Sequence, residues 1–140
     1  MAVTISLYNH TAARFASGAN AVNDTYKVKL FTAATFDATH TTETAAGGTE
    51  VSNTGYTAGG ATLANVSVTT VATNDAMFDA DDVSWTATGA AIEAAYARIY
   101  NSTDSAPVAF INFGGTETAA SGADFKLIWN ASGILSFTVA

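Results

Sequence analysis

The chain has no cysteine, so it can form neither a disulfide framework nor a thiolate metal site, and cysteine usage leaves its redox compartment open. Fixed cations are nearly as scarce. Arg14, Lys27, Lys29, Arg98 and Lys126 stand against 12 Asp and Glu, for a net charge of −7. So few scattered cations cannot build a phosphate-binding stripe, which argues against nucleic acid as a partner. Charged residues of both signs make up only 12% of the chain while hydrophobic residues make up 49%, the reverse of a disordered composition. No apolar run approaches the roughly 18 residues of a membrane span. Met1–Gly18 has no basic n-region and Asn9-His10 interrupts its apolar stretch, so it does not read as a secretory signal.

What is abundant is Thr, Ser, Asn, Gly and β-branched or aromatic residues, a balance that favours strands over exposed helices. At 140 residues the chain reads as a single domain, 1–140, long enough to bury roughly two-thirds of its unfolded surface. It is organised around Ala94–Phe113. Two apolar runs there, Ala95–Tyr100 and Val108–Phe113, flank the turn formers Asn101 to Pro107. Neither run alternates cleanly, as expected of strands covered on both faces. This predicts a central hairpin.

Ala2–Leu7 alternates, with Val3, Ile5 and Leu7 on one side, and suits an edge strand or an extended N-terminal arm over residues 1–7. Tyr8, Ala12 and Phe15 share a helical face between Asn9 as N-cap and Gly18 at C′, which predicts one short helix packed through Phe15. Thr25–Thr32 alternates Tyr26, Val28 and Leu30 against Lys27 and Lys29, a half-exposed strand whose lysines discourage edge pairing. Ala33–Asn53 has few bulky residues and reads as a long functional or mobile loop. Leu63–Ala72, Ala76–Asp79 and Val83–Trp85 read as strands, Ala90–Ala97 as the place for a helical turn, and Gly114-Gly115 as the start of a loop to about Ala123. The last hairpin is drawn from Phe125, Leu127 and Trp129 on one face, the turn Asn130–Gly133, then Leu135, Phe137 and Val139 on the same core. The expected class is all-β, a mainly antiparallel sandwich or jelly-roll-like fold of about eight to nine strands with one short N-terminal helix.

No catalytic constellation appears, and no cofactor is implied. His10 and His40 lack Cys, Asp or Glu at ligand spacing and read as surface positions. Asp75, Asp79, Asp81 and Asp82 lack the spacing of a calcium loop and read as a solvated turn. Gly55 and Gly59-Gly60 lack the Lys-Ser/Thr of a phosphate loop. The Asn-x-Ser/Thr triplets at Asn9, Asn23, Asn65, Asn101 and Asn130 follow from Asn and Thr being frequent. Arg98, between Tyr96 and Tyr100, reads as a structural cation that stacks on those rings or pairs with an acid such as Glu93.

Several pieces, in order, resemble a family of small virion proteins of tailed bacteriophages. They are Thr25–Leu30; Glu50-Val51-Ser52-Asn53-Thr54-Gly55-Tyr56-Thr57-Ala58-Gly59-Gly60 followed by Leu63; Phe78–Trp85; Ala97–Asn101; Ile111–Gly115; and Trp129-Asn130 with Gly133–Leu135. The E-V-S-x-x-G-Y-x-x-G-G piece is the most specific, and the likeness runs from about Tyr8 to Val139. The resemblance implies a structural protein of the particle rather than an enzyme. The expected place is the outer head surface, reached from the host cytoplasm, as a decoration or cement protein. Its partners would be the major capsid protein and copies of itself, as a trimer, with no membrane or nucleic acid involved. Val3, Ile5, Leu7, Tyr56 and Trp85 are the expected partner contacts. A tail or neck component, such as an adaptor or fibre-attachment protein, is the rival. A carbohydrate-binding β-sandwich module, with exposed Tyr56 and Trp85 as its platform, is the alternative from another class.

Overall fold

The structure is a computed structural model that describes residues 2–72 and 75–138. In chain order its elements are β1 (Thr4–Leu7), α1 (Thr11–Ser17), β2 (Tyr26–Ala33), α2 (Glu43–Ala46), β3 (Thr49–Glu50), β4 (Ala61–Thr62), β5 (Ser67–Ala72), β6 (Asp75–Asp79), β7 (Val83–Thr86), β8 (Ile92–Asn101), β9 (Ala106–Ala119), β10 (Asp124–Leu127) and β11 (Leu135–Phe137). Strand accounts for 47% of the chain and helix for 8%, with antiparallel pairing throughout the described sheets, so the class is all-β and sandwich-like. Among the described residues eleven strands form where about eight to nine were expected, the surplus coming from the two-residue β3 and β4 and the separation of short strands.

The central hairpin is β8 with β9, turning through Ser102–Ser105, where Ser105 takes a positive φ of 57°. It is longer than the apolar runs alone suggest. β9 continues through Gly114-Gly115 to Ala119, so the expected loop does not begin there. The register slips between Ala94 and Tyr96, where a bulge in β9 lets Glu117 and Asn112 face them and the Thr-rich end of β9 resume pairing. The helical turn expected within Ala90–Ala97 is also absent. β8 is claimed on both edges, by β9 and by β2, and these ladders outweigh the helix propensity of its alanines.

The larger sheet runs β1-β9-β8-β2-β3, with β4 also on β2. β2 is therefore internal, and its lysines protect no edge. The register places Val28 and Leu30 beside Ile99 and Ala97, these beside Ala109 and Ile111, and Ile111 beside Ile5, while Tyr26 pairs with Asn101. That face is the core side. Against it lie two small sheets, β10-β7 and β11-β6-β5, which contribute Phe125, Leu127, Trp85, Phe78 and Leu135. α1 closes one end through Phe15, whose ring meets Tyr26, Phe78 and Phe137. Its N-cap is His10, one residue later than expected, because Asn9 is held in the preceding turn by its N–H donating to Ala38 O at 2.9 Å. Gly18 ends it at φ 79°, as its spacing predicts.

The C-terminal hairpin does not form. The turn is there, with Gly133 N–H donating to Asn130 O at 2.8 Å, but β10 pairs with β7 and β11 with β6. The chain crosses between sheets because Gly133 is pressed on β6, where an added Cβ would lie 2.9 Å from Met77 Cβ. Phe125, Leu127 and Leu135 are buried as their alternation predicts, Phe137 and Trp129 are half-buried, and Val139 lies outside the described residues.

The segment from Ala33 to Asn53 is not an unanchored loop. It contains α2 and β3, and covers the outer face of the large sheet with Phe36 against Tyr8 and Phe110. Glu43 fixes it. Arg98, on β8 and 1% exposed, donates from Nε to Glu43 Oε2 at 2.7 Å and from Nη2 to Glu43 Oε1 at 3.1 Å and to Gly47 O at 2.8 Å. Lys29 Nζ reaches Glu43 Oε1 at 3.1 Å and lies over the Tyr100 ring, while Arg98 lies over Phe31. Arg98 is thus structural as expected, but its acid is Glu43 rather than Glu93, and its ring is Phe31 rather than Tyr96 or Tyr100.

Candidate functional site

Of the expected contact residues, Tyr56 and Trp85 are not at the surface. They are 6% and 7% exposed, with ring centroids 5.8 Å apart in the core. The Tyr56 hydroxyl donates to Glu50 Oε1 at 2.7 Å and accepts from Leu30 N–H at 3.0 Å, and the same Glu50 oxygen accepts from Gly59 N–H at 2.7 Å. Burial, and after it the Glu50 hydrogen bond, pushes the Tyr56 pKa well above the ordinary phenol value and keeps the hydroxyl a donor. Asn53 ties the other end of the segment, donating to Ala90 O at 2.9 Å and accepting from Gly55 N–H at 2.8 Å.

The glycines here are required by close backbone approach. A Cβ on Gly55 would fall 1.8 Å from Thr86 O, and one on Gly60 would fall 2.0 Å from Val28 O. The E-V-S-x-x-G-Y-x-x-G-G segment is therefore a buckle that fastens the two layers, and the exposed Tyr56–Trp85 platform does not exist. A lone tyrosine in a segment without cations, six residues after a glutamate, carried the signal, since a buried phenol needs a partner for its hydroxyl.

Val3, Ile5 and Leu7 form a different environment. β1 pairs with β9 as Ile5 with Ile111 and Leu7 with Ala109, so these side chains point toward the core side of the large sheet. Residues 4–7 are consequently an edge strand rather than a free arm. Yet Val3, Ile5 and Leu7 are 59%, 47% and 43% exposed. The reason lies in the second layer. β10 sits over β9, with Phe125 against Phe113, and β7 sits further in, with Trp85 against Tyr56. Nothing among the described residues continues that layer over β1. The gap is a groove of about 670 Å³ lined by Val3, Ile5, Ile111, Phe113, Phe125 and Trp129, with Glu117, Asp124 and Lys126 along it.

His10, Asp81 and Asp82 are engaged within the fold. His10 Nε2 lies 2.8 Å from Pro107 O. Asp81 accepts from Asn65 Nδ2 at 2.6 Å, and Asp82 accepts from Trp129 N–H at 2.8 Å. Among the described residues no three His, Asp or Glu side chains gather closely enough to hold a metal ion. Nor is any helix among them long and apolar enough to cross a membrane. No protein-family model matches the chain, and neither a curated protein nor a solved structure matches it significantly.

Proposed function

We propose that the chain is a structural protein of a tailed-bacteriophage virion, seated on the outside of the head as a decoration or cement protein. Two things support this reading: the ordered resemblance across most of the sequence, and the uncovered core-side face of β1. Ile5 and Leu7 are built into the sheet as core residues are, and with the neighbouring Val3 they lack a cover. Apolar surface arranged in this way is a place for a neighbour. The neighbour in this reading is the major capsid protein, and binding only to the assembled shell stabilises the shell by mass action. Self-association as a trimer at a local threefold would multiply weak contacts through effective concentration.

Loss of the Tyr56–Trp85 platform removes the feature that favoured a carbohydrate-binding module. Copy number in purified particles tests the placement. Copies in proportion to the shell subunits support a head protein, whereas copies matching a single ring point to a tail or neck component.

A further inference from the structure

On the outer face of the large sheet, the segment from Ala33 to Asn53 leaves part of the β8–β9 hairpin bare. Between the pairs Ala94–Glu117 and Tyr96–Asn112, Ala95 alone stands opposite Phe113, Gly114, Gly115 and Thr116. The surplus residues have no counterpart on β8 and swell β9 into a bulge, in which Gly114 takes a φ of 82°. Beside the bulge lies a trough of about 890 Å³. Thr32, Thr35 and Thr49 wall it on the β2–β3 side, Asn112 and Thr116 on the β9 side, with Tyr96 between them.

Two features of the trough select a ligand. The first is a file of rings. Phe36, Phe110 and Tyr96 stack in succession, with centroids 5.5 Å apart and planes 30° apart at each step. Among the described residues no ring stacks beyond the half-buried Tyr96, so the file ends on an aromatic surface at the trough. The second is the polar lining. Asn112 Oδ1 accepts from Gly114 N–H at 2.8 Å, which leaves the Asn112 amide hydrogens to be donated elsewhere. The threonine and tyrosine hydroxyls around it both donate and accept. Apart from the Tyr96 phenol the lining has no ionisable side chain, and a chain carrying −7 repels anions. A ligand that suits it is uncharged, rich in hydroxyls, and flat and apolar on one side.

We propose that this trough binds a neutral saccharide. One sugar ring lays its C–H face on Tyr96, and its hydroxyls meet Asn112 Nδ2 and the threonine hydroxyls. The site is separate from the buried Tyr56–Trp85 pair. It goes beyond the virion reading and does not rest on it. Asn112 lines the trough while its neighbour Ile111 lines the groove beside β1, on the opposite face of β9, so a chain docked through β1 keeps the trough open.

The test is a glycan array of neutral oligosaccharides of glucose, galactose, mannose and N-acetylglucosamine beside their sialylated or sulfated counterparts, probed with the purified chain. At least one neutral glycan should be retained about tenfold more strongly than its anionic counterpart. Titrating that glycan into the labelled protein should shift the Ala95, Tyr96, Gly115 and Thr116 amide resonances. Tyr96→Ala should weaken binding by about tenfold, and Tyr96→Phe, which keeps the ring, much less. Asn112→Asp keeps the acceptor for Gly114 and removes the amide donors, so it should weaken binding by about fivefold at unchanged thermal stability. That variant carries the test if Tyr96→Ala does not fold. Ile5→Asp should bind as the wild type does. Retention of no neutral glycan, equal retention of anionic ones, or binding that Asn112→Asp leaves unchanged would each overturn the site. Sugar binding without capsid binding would keep the trough and remove the virion reading, and the converse would do the reverse.

Discussion

Glu43 and Arg98, 55 positions apart, meet in a two-pronged ion pair in which Arg98 Nε and Nη2 donate to opposite oxygens of one carboxylate at 2.7 and 3.1 Å. This pair converts a segment with little apolar area of its own into a fixed cover for the outer face of the large sheet. Removing the acid would strand a buried guanidinium. Glu43→Gln should therefore cost about 3–5 kcal/mol, whereas replacing both partners with Leu and Met should recover most of it. Urea denaturation of the single and double variants measures the difference. In the wild-type chain the Glu43 and Val51 amides, bonded to Ser105 O and Leu30 O, should exchange slowly. Fast exchange at both would show that the segment is not anchored.

The buckle around Tyr56 makes a second prediction. Gly55→Ala forces a methyl group against Thr86 O and should cost about 3 kcal/mol. Tyr56→Phe leaves the Leu30 N–H without its acceptor, at a cost of about 1–3 kcal/mol. A loss below about half a kilocalorie in either variant, on thermal or chemical denaturation, would show that the segment is not a fastening.

The two tryptophans should differ. Trp85 is buried between Tyr56 and Phe125, and Trp85→Ala should cost about 3–5 kcal/mol. Trp129 is half-buried at the end of the groove and held by its indole N–H donating to Asp81 O at 3.0 Å, so Trp129→Ala should cost only about 1–2 kcal/mol. Equal losses in denaturation would contradict this assignment.

Alkaline pH should destabilise the fold. Burial raises the pKa of Tyr8, Tyr26, Tyr56 and Tyr100 above the ordinary phenol value. In the unfolded chain these groups lose their protons near pH 10, while in the folded chain they still hold them. The unfolded state then binds fewer protons, so the contribution is fully present below about pH 10 and is lost as pH rises further. Ultraviolet titration should show late-ionising phenols that become accessible with unfolding. Normal titration of all the tyrosines in the folded protein would refute the burial pattern.

How much of this the sequence could show depended on whether the deciding contact was local. The β8–β9 hairpin was legible because two aromatic, β-branched runs flank a turn built from Asn, Asp, Ser and Pro. In Phe125–Leu127 the alternation revealed the buried face but not the partner strand, so the nearby turn suggested a hairpin that distant pairing with Val83–Trp85 overrides. Glu43 was one acid among 12, and only the fold brings it to Arg98. Tyr56 looked exposed because its glycine neighbours resemble a loop, although those glycines mark backbone packed against backbone. Val3, Ile5 and Leu7 alternate like any edge strand. That the second layer stops short of them depends on where β10 ends, and no local pattern encodes that.

The claim that the uncovered face of β1 docks on a phage head is tested most directly by sedimenting the purified chain with undecorated capsids and, separately, with isolated tails. The wild-type chain should co-sediment saturably with capsids and raise their disruption temperature, and Ile5→Asp, folded and equally stable, should do neither. Binding to tails alone, or capsid binding unchanged by Ile5→Asp, would contradict the account.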